Sequence, residues 1–227
     1  MIPASSSFQS NRMQIEKLDH IALWVTERER IAETAIERLG MHVIDRTDAF
    51  TLVGADARRG KLTLFEADGP RERGALAHVA LRAGDRAGGR VELPDGLVVE
   101  VVEGSAKVDY DLDHVALLSR EPERTAARYL ELGFSEAASD DGGIPRVEVG
   151  GGYLEFHEGD PGDPERPLLN HVAVLVQSAD EALAAARDRG LDVADVVDAA
   201  NTKAVFVWAP ERVKIEYVEH KPTFSLV

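Results

Sequence analysis

Short apolar runs alternate with polar positions along most of this chain, and one run recurs. "LDHIAL" occupies 18–23, "LAHVAL" 76–81, "LDHVAL" 112–117 and "LNHVAV" 169–174. Each is a strand-like run interrupted by a histidine: His20, His78, His114 and His171. Strand side chains alternate between faces. Val115 and Leu117 therefore share one face, and His114 and Ala116 share the other. The same alternation sets Ile21, Leu23 and Val25 against His20 and Ala22, and Val172, Val174 and Val176 against His171 and Ala173. The branched aliphatics are natural partners for a helix. Each histidine is expected on the opposite face, beside a small residue that leaves room.

A second phrase follows each histidine: "LTLFE" at 62–66, "VEVVE" at 99–103, "LEFHE" at 154–158 and "IEYVE" at 215–219. Aligned without gaps, its second position holds Thr63, Glu100, Glu155 and Glu216, and its fifth holds Glu66, Glu103, Glu158 and Glu219. Residues three apart on a strand face opposite ways, so only one set can join the histidines. Alternation alone leaves that choice open. Between the phrases, helical spacing follows the first histidine in "TERERIAETAIERLG", where Thr26 and Glu29 make a capping-box signature and Gly40 a stop. "REPERTAARYLELG" repeats the pattern with Pro122 and Gly133, and "SADEALAAARDRG" with Ser178, Glu181 and Gly190. After the second histidine stands only "RAGDRAGGR", too short and glycine-rich for a comparable helix. Several β-rich segments complete each unit.

The chain thus reads as an α+β protein of four βαβββ units, the second truncated and lacking its helix. The expected division is a flexible tail over 1–14, an N-terminal half over 15–108 with units one and two, a C-terminal half over 109–222 with units three and four, and a tail over 223–227. "EGDPGDPERP", 158–167, reads as a surface loop between units three and four.

The formal net charge of −15 repels phosphate backbones and anionic membranes, which favours a small-molecule partner over nucleic acid or a membrane surface. There is no cysteine, so disulfides, thiolate ligands and cysteine nucleophiles are excluded together. No apolar run approaches the ~18 residues of a membrane span. The first fourteen residues lack the basic start and apolar stretch of a signal peptide, and cytoplasm is the default expectation.

The βαβββ repeat, the "DHVAL" opening and the "VKIEYVE" ending resemble the vicinal oxygen chelate superfamily. This group includes glyoxalase I, extradiol ring-cleaving dioxygenases and bleomycin resistance proteins. The resemblance implies pairs of units forming curved, half-barrel-like sheets, with first and last strands adjacent and supplying ligands to a divalent metal. It selects the second-position carboxylates. The implied ligands are His114, Glu155, His171 and Glu216, with a second possible set of His20, His78 and Glu100 beside Thr63. Imidazole and carboxylate together suit Zn, Ni, Fe(II), Mn or Co. The His, Glu, His, Glu order resembles bacterial glyoxalase I, which implies proton transfer by Glu216 or Glu155. Extradiol-type ring cleavage would use His114, His171 and Glu216, with His157 as an acid–base candidate; Phe206 stands where that class has a tyrosine. A non-catalytic, bleomycin-resistance-type binding protein is the third reading, and histidines that only pack are a fourth. Units can pair as neighbours or exchange partners. Pairing two with three would group His78, Glu100, His114 and Glu155, and pairing one with four would group His20, His171 and Glu216. A monomer or a homodimer is compatible with four units.

Overall fold

The computed structural model describes residues 13–84, 88–104, 111–138 and 143–224. Unit one comprises β1 (Ile15–Val25), α1 (Arg28–Thr34) with a wider π-helical turn at Ala35–Leu39, β2 (His42–Arg46), β3 (Phe50–Gly54) and β4 (Lys61–Glu66). Unit two has β5 (Leu76–Ala83), β6 (Gly89–Glu92) and β7 (Val98–Glu103), and no α-helix among its described residues. Unit three runs through β8 (Asp111–Ser119), α2 (Pro122–Glu131), β9 (Ser135–Glu136), β10 (Arg146–Val149) and β11 (Gly152–Glu158). Unit four has β12 (Leu169–Val176), α3 (Ala179–Asp188), β13 (Val193–Asp198), β14 (Thr202–Trp208) and β15 (Lys214–His220). No described helix is long and apolar enough to cross a membrane.

The strands form two curved, unclosed sheets, ordered β13-β14-β15-β12-β1-β4-β3-β2 and β6-β7-β5-β8-β11-β10-β9. Within every unit the first strand lies parallel to the last. Between units, first strands pair antiparallel: β1 with β12 and β5 with β8. Unit one therefore shares a sheet with unit four, and unit two with unit three. Of the alternatives the sequence left open, this is the exchanged pairing, across the two expected halves rather than within them. The physical reason is that each unit ends with a first-strand edge unpaired, and sequence proximity does not decide which other edge satisfies it.

The alternation expected for the repeated phrase holds. Ile21, Leu23, Val25, Val115, Leu117, Val172, Val174 and Val176 are all buried on the helix-bearing side. They belong to one continuous apolar cluster that draws on both sheets. Tyr129 of α2 packs there against Phe134 and Phe156, with ring centroids 5.6 and 4.9 Å away.

The Thr26–Glu29 capping box does not form. Thr26 instead donates from N and Oγ1 to the Asp95 carboxylate at 2.6 and 2.5 Å. Asp95 sits in a single helical turn before β7 and has φ 60°. Glu211, in the matching turn before β15, has φ 59° and accepts from Ser119 Oγ at 2.8 Å. Each even-numbered unit thus holds the helix start of the unit before it, and so ties the two sheets together. Ser178 does cap α3, accepting from Glu181 N at 3.2 Å.

The tail expected over 1–14 lies outside the described residues as far as residue 12, as do 225–227. Met13 is buried and belongs to the core rather than to a tail. Phe224 stacks on His220 at 4.0 Å, so the second expected tail also begins later than residue 223.

The β10–β11 turn of the smaller sheet packs closely on β1 of the larger. Gly150 has φ +54°, and a Cβ there would stand 1.7 Å from the Glu16 carbonyl oxygen. Gly151, at φ +86°, has nothing within 4 Å of a Cβ. Gly151→Ala should cost only the ~1–2 kcal/mol of left-handed backbone. Gly150→Ala should cost about 3 kcal/mol or more, because backbone must also move. Urea unfolding midpoints of the two variants measure the difference.

Candidate metal centres

Antiparallel pairing of first strands brings histidines from different units together. On the larger sheet His20 pairs with Ala173 and Ala22 with His171. On the smaller sheet His78 pairs with Ala116 and Ala80 with His114. The alanines pair in parallel with the second-position residues: Ala22 with Thr63, Ala80 with Glu100, Ala116 with Glu155 and Ala173 with Glu216. One register is used four times. In each first strand the ladder also slips by one residue just before the histidine, at Asp19, Ala77, Asp113 and Asn170. Such bulges re-aim side chains, and here they let adjacent residues reach one another.

In the first centre His20 Nε2 and His171 Nε2 lie 3.1 Å apart. Glu216 Oε2 stands 2.9 Å from the latter and 3.2 Å from the former. In the second centre His78 Nε2 and His114 Nε2 are also 3.1 Å apart. Glu155 Oε1 is 3.5 Å from His114 Nε2, and Glu100 Oε2 is 3.4 Å from His78 Nε2. Each trio, His20/His171/Glu216 and His78/His114/Glu155, converges tightly enough to hold one ion. Of the expected quartet, His114 and Glu155 therefore stand in one centre, and His171 and Glu216 in the other. His20 joins the first centre and His78 and Glu100 the second. Thr63 is buried at the fourth position of the first centre.

The arrangement has counterparts among solved structures. A protein from Bacillus subtilis subsp. subtilis str. 168, named as a candidate dioxygenase, superposes with a TM-score of 0.76 at 15% identity, covering 93% of this chain and 87% of that one. Glyoxalase I from Zea mays gives 0.65 at 16% identity, over 89% of this chain and 92% of that one. The cppA protein of Streptococcus pneumoniae TIGR4 gives 0.56 at 14% identity, over 91% of this chain and all, 100%, of that one. The chain has the vicinal oxygen chelate fold. No family model and no curated protein matches the sequence.

On the vicinal oxygen chelate fold, the donor sets fit a divalent ion. Asp19 Oδ2 lies 2.8 Å from His20 Nδ1, Asp113 Oδ1 2.7 Å from His114 Nδ1, and Asn170 Oδ1 3.2 Å from His171 Nδ1. An Nδ1–H donating to these oxygens leaves Nε2 with its lone pair toward the centre, the usual support for a metal-binding histidine. Two such nitrogens and a carboxylate oxygen repel unless a proton or cation lies among them. Glu216 Oε2 is buried and accepts no hydrogen bond among the described residues. Its approach to His171 is a close charge contact without hydrogen-bond alignment.

The electrostatics agree with a site that wants positive charge. Burial alone would lower the His20 pKa, but the Glu216 carboxylate, then Asp19, raise it to about 9. Burial would raise Glu216, yet His171 and His20 hold it well below the usual carboxylate range. His171 is lowered, by burial above all. Asp19 is buried against Lys61 Nζ at 2.8 Å and His220 Nε2 at 3.1 Å, which compensate its charge. In the second centre burial would raise Glu155, but His157 at 2.7 Å, then His114, lower it, and Arg146 at 3.1 Å adds to this.

The sequence reading assigned no role to Asp19, Asp113, Asn170, Lys61 or Arg146. The first three were legible as the polar residue before the histidine in three of the four phrases. Lys61 and Arg146 lie outside the phrases, and only the sheet registers bring them in.

With no metal bound, His20 should titrate near pH 9 by NMR, and Glu216→Gln should move it down. A raised histidine pKa stabilises fully below its unfolded value of ~6.5 and is lost as pH climbs toward 9. Metal-free protein should therefore lose stability across that window, and Glu216→Gln should flatten the slope.

Proposed function

We propose that the protein is a divalent-metal enzyme whose two centres chelate neighbouring oxygens of small substrates. The reaction best matched by the second centre is proton transfer of the glyoxalase I type. The observation that carries this reading is the twice-repeated set of two histidines and a carboxylate, in which His20, His114 and His171 each have Nε2 freed by an Nδ1 partner. A bound divalent ion would stabilise negative charge developing on a chelated oxygen. His78, His114 and Glu155 would hold it, with Glu100 at the edge of the set. Glu155 is kept ionised by His157 and Arg146 and so can accept a proton from carbon. His157, within hydrogen-bond reach of Glu155, can pass that proton on.

A second reading applies to the first centre. His20, His171 and Glu216 form two histidines and one carboxylate, with Thr63 in place of a fourth donor. This is the donor set of non-haem iron(II) sites with open positions, which supports oxygen chemistry such as ring cleavage there. Phe206 pairs with Glu216 and edges onto His171, where an extradiol enzyme would be expected to carry a tyrosine.

Metal analysis of protein purified without chelators should find about two ions per chain. His171→Ala and His114→Ala should each remove one, and together both. Glu155→Gln should slow exchange of the carbon-bound protons of dihydroxyacetone for solvent deuterium by about 100-fold or more. Metal that cannot be restored to the purified chain, with ligand binding indifferent to EDTA, would replace this reading by the non-catalytic binding protein.

A further inference from the structure

The strand next to each last strand places one residue directly opposite the second-position residue. Leu52 pairs with Thr63, Arg90 with Glu100, Arg146 with Glu155 and Phe206 with Glu216. Directly paired residues point to the same face, so each centre is flanked on both sides by these side chains. The first centre lies between Leu52 and Phe206. The second lies between two guanidinium groups.

Their surroundings extend the contrast. Around the first centre Phe65 lies 5.3 Å from Trp24, 5.7 Å from Phe50 and 6.5 Å from His171, and Phe206 is 5.2 Å from His171. The cations near this face are Lys61, paired with Asp19, Arg71, paired with Asp68, and Lys214, which lies over the Trp208 ring and opposes protonation of His171. Around the second centre Tyr153 stacks on His114 at 4.6 Å, and the Arg146 guanidinium lies 4.5 Å over Tyr153. Arg90 is close enough to His78 to oppose its protonation, behind burial and His114. Glu148, two residues beyond Arg146, and Glu92, two residues beyond Arg90, are exposed acidic groups on the same face, beside the partly exposed Glu100. A cavity of 250 Å³ opens beside Arg146, Glu148 and Tyr153.

We propose that the two centres sort substrates by charge. The centre of units two and three takes a small ligand bearing an oxyanion, with Arg146 and Arg90 as its counter-charges. The centre of units one and four takes an apolar, ring-bearing ligand packed on Phe206, Phe65 and Trp24. The inference rests on the metal-chelating reading of both centres. Fixed guanidinium groups lower the cost of bringing an anion into a half-buried site. An aromatic wall makes the same anion shed water with nothing in return, and rewards a flat apolar body instead.

Cobalt(II)-loaded protein tests this through its visible absorbance, with oxalate and 4-tert-butylcatechol as probes that both present vicinal oxygens. His171→Ala keeps the arginine-flanked centre, and His114→Ala keeps the aromatic one. Oxalate should bind the first variant at least about tenfold more tightly than the second, and the catechol should show the reverse order. In the otherwise unaltered chain Arg90→Gln, at an exposed position, should weaken oxalate about 3–10-fold and leave the catechol unchanged. Phe206→Leu should weaken only the catechol, by about 3–10-fold. Equal binding of both probes at both centres, or oxalate indifferent to both Arg90→Gln and Arg146→Gln, overturns the sorting. Failure of both histidine variants to take up cobalt overturns the metal reading itself, and the sorting with it.

Discussion

The antiparallel pairing of first strands, each slipped by one residue before its histidine, is the constraint on which the rest of the molecule depends. It sets the two Nε2 atoms of each centre 3.1 Å apart on both sheets. For His20, His114 and His171 it also puts the preceding residue within reach of Nδ1, which a regular strand would send to the opposite face. Parallel pairing inside each unit then delivers the second-position side chain beside the alanine that leaves it room. Four donor positions around a point result from one register repeated, not from four separate placements.

That geometry concentrates like charge and lone pairs in a half-buried place, and much of the surrounding structure answers to it. Asp19 at 1% side-chain exposure would be costly alone, but Lys61, His20 and His220 surround it. Glu155 is steadied by His157 and Arg146 in the other centre. The buried aliphatics on the helix-bearing face pack the strands against α1, α2 and α3, so each centre is backed by the apolar core. The turns carrying Asp95 and Glu211 in left-handed backbone do the corresponding work between sheets, since each binds the start of a helix from the neighbouring unit.

The two centres share a scaffold and differ in what lies around it. The first has Thr63 in place of a fourth donor and a wall of aromatic rings. The second has Glu100, two flanking arginines and a histidine two residues beyond its glutamate. The absence of an α-helix from the second unit's described residues leaves this difference untouched, because the candidate donors stand on strands.

The sequence by itself determined the four units, the shortness of the second and the face each histidine takes, while alternation left the choice between the two carboxylate sets open. These are local properties: strand alternation places His114 opposite Val115 and Leu117 whatever the rest of the chain does. The tertiary structure decided the partition. His114 and Glu155 were legible as partners because β8 and β11 belong to one unit, whereas His114 with His78, and His171 with His20, depend on which edges meet. Capping shows the same limit: Ser178 behaved as its local signature required, while Thr26 was taken by Asp95, a residue 69 positions away. The roles of Arg146, Arg90 and Phe206 also required the sheets, since each acts on a centre only through a cross-strand register. Edge pairing is chosen by which apolar faces bury best together, a sum over both sheets that no short stretch of this sequence contains.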